Sequence, residues 1–128
     1  MPVRYLLDTN TVSYIIKGNR PRVRERLLRV PMAEVGISVI TEAELLFGLA
    51  RMPDATKLKT VVEEFLLRVE VLPWDSEAAR QYARIRAILE DRGDLMIAAQ
   101  ALASGLVLVS SDAVFHRVKG LKIEDWSR

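Results

Sequence analysis

The chain contains no cysteine, which excludes disulfides, thiolate zinc sites and a cysteine nucleophile at once. It has one histidine, His116. Beside Phe115, that residue reads as a surface or partly packed side chain and not as a catalyst. No run of 18 apolar residues occurs, so no membrane-spanning helix is expected. The opening MPVRYLLDTN reaches an acid too early for a signal peptide. Repeats, low-complexity tracts and linkers are also missing, so residues 1–128 read as a single domain. A chain of this length buries roughly two-thirds of the surface it would expose unfolded and needs no covalent staple. These absences fit a protein of the reducing cytoplasm.

Half of the residues are hydrophobic, and they fall into an alternation of strands and helices. Residues 3–7 read as a short buried strand, followed by the cap-forming Asp8-Thr9-Asn10. Val12, Ile15 and Ile16 give a brief helical stripe that Gly18 should stop. Pro21 suits the first turn of a second helix carrying Val23, Leu27 and Val30. Residues 35–40 are rich in β-branched side chains and read as the second strand. Thr41, with Glu44 three residues on, then has the spacing of a capping box. A further helix starts at Asp54 or Thr56, and residues 69–72 form a third strand. Asp75-Ser76 cap a helix expected to run to about Arg92. Asp94 opens the helix DLMIAAQALAS, ended by Gly105. Residues 106–109 and 121–123 supply strands four and five, the last at an edge. The strands are continuous apolar runs, which argues for an α/β fold with a mostly parallel sheet covered on both faces.

That fold decides where the acids go. Asp8 follows the first strand, Glu44 is placed in the first turn of the helix after the second, and Asp112 follows the fourth. Asp94 starts a helix that runs antiparallel to the strand it feeds, so it belongs to the same carboxyl edge. Ligands of such sheets bind at that edge. Each acid taken alone reads as a helix cap. Together, converging carboxylates repel one another unless a hard cation such as Mg²⁺ or Mn²⁺ neutralises them. One or two such ions can activate a water for in-line displacement at phosphorus. Metal-dependent phosphodiester hydrolysis is the chemistry this set suits.

Four stretches in order, LLDTN, TEAEL, DLMIAAQAL and LVSSD, closed by LKIEDW, resemble the PIN domain. They resemble in particular the VapC-type toxins of bacterial toxin–antitoxin pairs, and the similarity covers nearly the whole chain. The resemblance implies a five-stranded sheet of order 3-2-1-4-5 and a Mg²⁺- or Mn²⁺-dependent endoribonuclease. Asp8, Glu44, Asp94 and Asp112 match the family's acidic positions. Ser110 matches a Ser or Thr that helps place the attacking water or a carboxylate, and Asn10 is a neighbour. The resemblance also implies a homodimer, a small inhibitory antitoxin and structured RNA, tRNA above all, as target. One departure stands out: Arg92-Gly93 runs straight into Asp94 where relatives have several more residues. A helix running to Arg92 could hardly reverse in so few residues: either the loop is short, the helix ends early, or a loop segment is absent from this chain, the last being favoured.

The net charge is only +2, but Arg20, Arg22, Arg24, Arg26 and Arg29 crowd one segment. Arg22, Arg26 and Arg29 share a helical face that could meet RNA phosphates, although a solvated face is the plainer explanation. Trp74 and Trp126 lack the spacing of a base-stacking platform and read as structural. The helices of residues 42–52 and 57–68 are apolar beyond what one sheet face requires. They are read first as core, then as an interface for a second copy or an antitoxin. Two other functions compete. A phosphorelay receiver needs paired acids after strand one, where Thr9 stands, and a Lys near the last strand, where Lys119 and Lys122 are poorly placed. A binding module without catalysis is opposed by the intact set of four acids.

Overall fold

The computed structural model describes residues 2–90 and 95–128. Asp94 therefore lies outside the described residues. Five short strands form one sheet: β1 (Tyr5–Leu7), β2 (Val35–Ser38), β3 (Glu70–Leu72), β4 (Val107–Val109) and β5 (Lys122–Glu124). Their order is β3-β2-β1-β4-β5 and every pairing is parallel. The chain thus starts in the centre of the sheet and reverses direction of winding between β1 and β4, as the α/β reading expects.

Side chains of β1 alternate between two cores. Tyr5 and Leu7 pack with Val12, Ile15, Ile37, Phe65 and Trp126 on one face. Leu6 packs with Ile85, Leu95, Ile97, Leu108 and Phe115 on the other. The first face is covered by α1 (Thr9–Lys17), α2 (Pro21–Leu28), α3 (Val39–Ala50) and α4 (Thr56–Arg68). The second is covered by α5 (Ser76–Arg86) and α6 (Leu95–Ser104). Complete burial on both sides is why β1 reads as an unbroken apolar run.

The local signals act where expected at several boundaries. Gly18 adopts φ 68° and its N–H bonds the Tyr14 carbonyl, which closes α1. Pro21 opens α2, and Asp75 caps α5 by accepting from the Ala78 N–H at 3.0 Å. Gly36 in β2 has a different role, because a Cβ there would meet Val3 Cγ1 at 2.9 Å and the Glu70 carbonyl at 3.2 Å. Any side chain there would force Val3 or the neighbouring β3 backbone to shift.

The other strands shift by one or two residues from the sequence reading, and two boundaries move in ways that affect the site. The second strand ends at Ser38, not Ile40, and α3 begins at Val39. Ser38 is the N-cap, its Oγ accepting from the Ile40 N–H at 3.1 Å. A β-branched pair, Val39-Ile40, forms the first helical turn, because a serine cap at the sheet edge outweighs the pair's strand preference. Thr41 is consequently a buried helical residue and no capping box exists. Glu42, not Glu44, is the acid of the first turn. Likewise α5 ends at Arg86 instead of Arg92, so the reversal before α6 need not be made between Arg92 and Asp94.

Candidate active site

Strand register assembles the site's floor. Leu7 is level with Ile37 of β2 and Val109 of β4. The next residues, Asp8, Ser38 and Ser110, therefore stand side by side where the three central strands end. All three are buried, Asp8 to 0% exposure.

Asp8 is fixed from several directions. Its backbone N–H donates to the Val109 carbonyl at 3.1 Å. Its Oδ1 accepts from the Thr11 N–H at 2.8 Å, which makes Asp8 the N-cap of α1. The Thr11 hydroxyl then donates to the same Val109 carbonyl at 3.1 Å and pins the helix start to β4. Of the three cap-forming residues at this point in the sequence, Asp8 is the cap, and Thr9 and Asn10 are the first residues of the helix itself. The other oxygen, Asp8 Oδ2, is buried with no hydrogen-bond partner among the described residues. A carboxylate oxygen withdrawn from water without a partner is costly.

Asp112 approaches the same edge by a turn. The Ser110 hydroxyl accepts from the Asp112 N–H at 3.1 Å. Asp112 Oδ1 accepts from the Val114 N–H at 3.0 Å and starts the short 3₁₀ turn of Ala113–Arg117. Asp112 itself is exposed, and so is His116 further along the turn. Ser110 thus fixes the turn between β4 and Asp112.

Glu44 is exposed on the second turn of α3. Its Oε1 accepts from the Thr9 hydroxyl at 3.1 Å, and Thr9 Oγ1 lies 3.1 Å from Thr41 Oγ1. Glu44 therefore bonds the residue that follows Asp8 and not the backbone of its own helix start. An apolar groove opens beside it between α1, α3 and α4, walled by Ile16, Leu45, Leu49 and Val62.

Asp94 lies outside the described residues, and the helix that begins at Leu95 is firmly tied. Trp74 Nε1 donates to the Met96 carbonyl at 2.8 Å. The Gln100 amide donates to the Leu72 and Pro73 carbonyls at 3.2 and 3.0 Å. These bonds lash the first half of α6 to the carboxyl end of β3. Among the described residues, no three Asp, Glu or His side chains are grouped closely enough to hold a metal ion. What the structure brings together is Asp8 with Ser110 and Asp112 through β4, and Glu44 through Thr9.

The arginine segment is largely occupied with the protein itself. Arg24 donates to the Ile15 carbonyl at the end of α1 at 3.0 and 3.3 Å. Arg20 lies 4.7 Å above the Tyr14 ring. Arg26 pairs with Glu124 at 3.1 Å beside buried Trp126, whose Nε1 donates to the same carboxylate oxygen at 3.0 Å. Arg22 and Asn10 are exposed, with no side-chain bond among the described residues. Sequence reasoning missed Thr9, Thr11, Ser38, Thr41 and Gln100. Small hydroxyls near an acid were the available signal, too common to be read alone.

The PIN domain family model matches residues 5–121. Among curated proteins, the chain is similar to the tRNA(fMet)-specific endonuclease VapC of Salmonella typhimurium, with 37% identity over 97% of this chain and 98% of that one. It is 34% identical to Ribonuclease VapC2 of Haemophilus influenzae, with the same shares covered. Among solved structures, it superposes on a chain of the DNA-bound VapBC of Salmonella typhimurium with a TM-score of 0.85, 36% identity and 97% and 98% coverage. A chain of FitAcB from Neisseria gonorrhoeae gives a TM-score of 0.82 at 27% identity, covering 95% and 97%. The sheet order, the acids at its carboxyl edge and these likenesses agree: the chain belongs to the PIN-domain family, in its VapC branch.

Proposed function

We propose that this chain is the toxin of a toxin–antitoxin pair, an endoribonuclease that hydrolyses phosphodiester bonds of a structured RNA with Mg²⁺ or Mn²⁺. The observation that carries the reading is Asp8 Oδ2, an acid oxygen buried without a partner at the carboxyl edge of a parallel sheet. Hard oxygen donors of this kind suit Mg²⁺ or Mn²⁺. Asp8, Glu44, Asp94 and Asp112 are the residues that would hold the ion. A bound ion would lower the pKa of a water and offset charge gathering on the phosphate. Asp8 supplies a rigid anchor, Glu44 an adjustable one, and Ser110 fixes the turn that brings Asp112 round.

For the RNA, Arg22 and Asn10 are open to the substrate, whereas Arg26 must first leave Glu124. Two relatives carry the name tRNA(fMet)-specific endonuclease, which makes initiator tRNA the first substrate to try. Solved relatives are VapBC complexes, and α3 and α4 present Leu46, Phe47 and Leu67 to solvent. Those apolar side chains are where a second copy of the chain and the antitoxin would be accommodated. No helix among the described residues is long and apolar enough to cross a membrane, and the toxin is proposed to act in the cytoplasm.

The test is cleavage of initiator tRNA in Mg²⁺ or Mn²⁺, with EDTA and Asp8→Asn as controls. Cleavage that EDTA and Asp8→Asn both abolish supports the reading. Full cleavage in EDTA, or full activity in the variant, overturns it.

A further inference from the structure

The acid that the proposed function leaves least anchored is Glu44, and the structure contains a device that anchors it. We propose that Thr9 is a positioning residue for Glu44, the middle link of a directed hydroxyl relay, Thr41 to Thr9 to Glu44, joining α3 to α1. This rests on the reading of Glu44 as a metal-holding acid.

The direction follows from counting protons. Thr9 Oγ1 lies 3.1 Å from both Glu44 Oε1 and Thr41 Oγ1. A carboxylate can only accept, so Thr9 spends its single proton on Glu44. It has none left for Thr41, so Thr41 must donate to Thr9. Accepting one bond polarises the Thr9 hydroxyl and strengthens the bond it gives.

The ends of the relay differ in mobility. Thr41 is fully buried in the first turn of α3. Thr9 sits between Asp8, held by the Thr11 N–H and the Val109 carbonyl, and Thr11, whose hydroxyl is held by Val109. Glu44 by contrast is exposed, with rotamer freedom to lose. Thr9 thus passes the fixed position of the sheet edge to a side chain that nothing else among the described residues restrains. No residue of α3 other than Glu44 and Thr41 bonds the Thr9 hydroxyl. A threonine that served only to join two helices would not need a carboxylate at the end of the chain.

Three proteins test this: wild type, Thr9→Val, which keeps the shape but loses the proton, and Thr9→Ser, which keeps the proton. Mn²⁺ binding is followed by calorimetry, RNA cleavage by Mg²⁺ titration, and folding by thermal melting. Residues that orient a metal ligand typically change metal affinity 10–100-fold, so Thr9→Val is expected to weaken Mn²⁺ binding by about tenfold. Its cleavage should need correspondingly more Mg²⁺ to reach half its maximum, and Thr9→Ser should restore the affinity. Wild-type Mn²⁺ affinity in Thr9→Val overturns the proposal. So does an equal loss in both variants that follows their melting temperatures. If the wild type neither binds Mn²⁺ nor cleaves RNA, the proposed function has failed, and crystal structures decide the relay by themselves. Glu44 should leave its place in Thr9→Val and keep it in Thr9→Ser; an unmoved Glu44 in Thr9→Val contradicts the relay.

Discussion

Asp8 and Glu44 stand at the same edge of the sheet and are held in opposite ways. Asp8 is at the end of the central strand, fully buried, with its backbone and one oxygen bonded. Glu44 is exposed on a helix and depends on one side-chain hydroxyl. The buried acid has lost its rotamer freedom in folding, so it can offer an unpaired oxygen without moving. The exposed acid retains freedom and can follow a charge as it arrives. One rigid and one adjustable carboxylate is an arrangement that can accept both an ion and a changing substrate.

Removing the rigid acid should have the largest effect. Asp8→Asn keeps the cap, since Asn serves as well as Asp at that position. It removes the negative charge, and metal assistance is worth several kcal/mol, so cleavage should fall by about a thousandfold or more. The fold should persist, as circular dichroism can check. Glu44→Gln should act more weakly. Because Glu44 is an adjustable acid that would hold the ion, its loss is expected to cost at least the roughly 10–100-fold in metal affinity that the loss of a ligand's orienting partner costs. Stability should change by less than about 0.5 kcal/mol in a denaturant titration, because the residue is on the surface and caps nothing. Ser38→Ala comes next. It removes the cap of α3 and should cost about 1 kcal/mol in the same titration, with Mn²⁺ affinity less affected than in Glu44→Gln. The smallest effect is expected from Arg22→Ala. If that side chain meets one RNA phosphate, binding weakens for every sequence alike and the salt slope drops by about one; an unchanged slope removes Arg22 from the RNA surface.

The same contrast explains what the sequence disclosed. Strand positions and the parallel sheet were legible because β1 and β2 are apolar runs closed by caps, whereas the order 3-2-1-4-5 was legible through the family resemblance. Gly18, Pro21 and Asp75 marked their boundaries by backbone chemistry that depends on few neighbours. The start of α3 was misread because Val39 and Ile40 favour strands locally, while the Ser38 cap is effective only where the strand ends at the sheet edge. The end of α5 was misread because helical residues continue past Arg86 in the sequence. The buried fate of Asp8 Oδ2 and the Thr41–Thr9–Glu44 connection arise where elements distant in sequence meet, and local pattern carries no trace of that. The arginine segment was legible as charge, but the engagement of Arg20, Arg24 and Arg26 by Tyr14, Ile15 and Glu124 was not.

The most direct measurement is a calorimetric titration of Mn²⁺ into the wild-type protein and into Asp8→Asn, with no RNA present. Saturable binding to the wild type that is lost in the variant is the expected result. Equal binding to both proteins would contradict the assignment of the buried Asp8 oxygen as the seat of the cation.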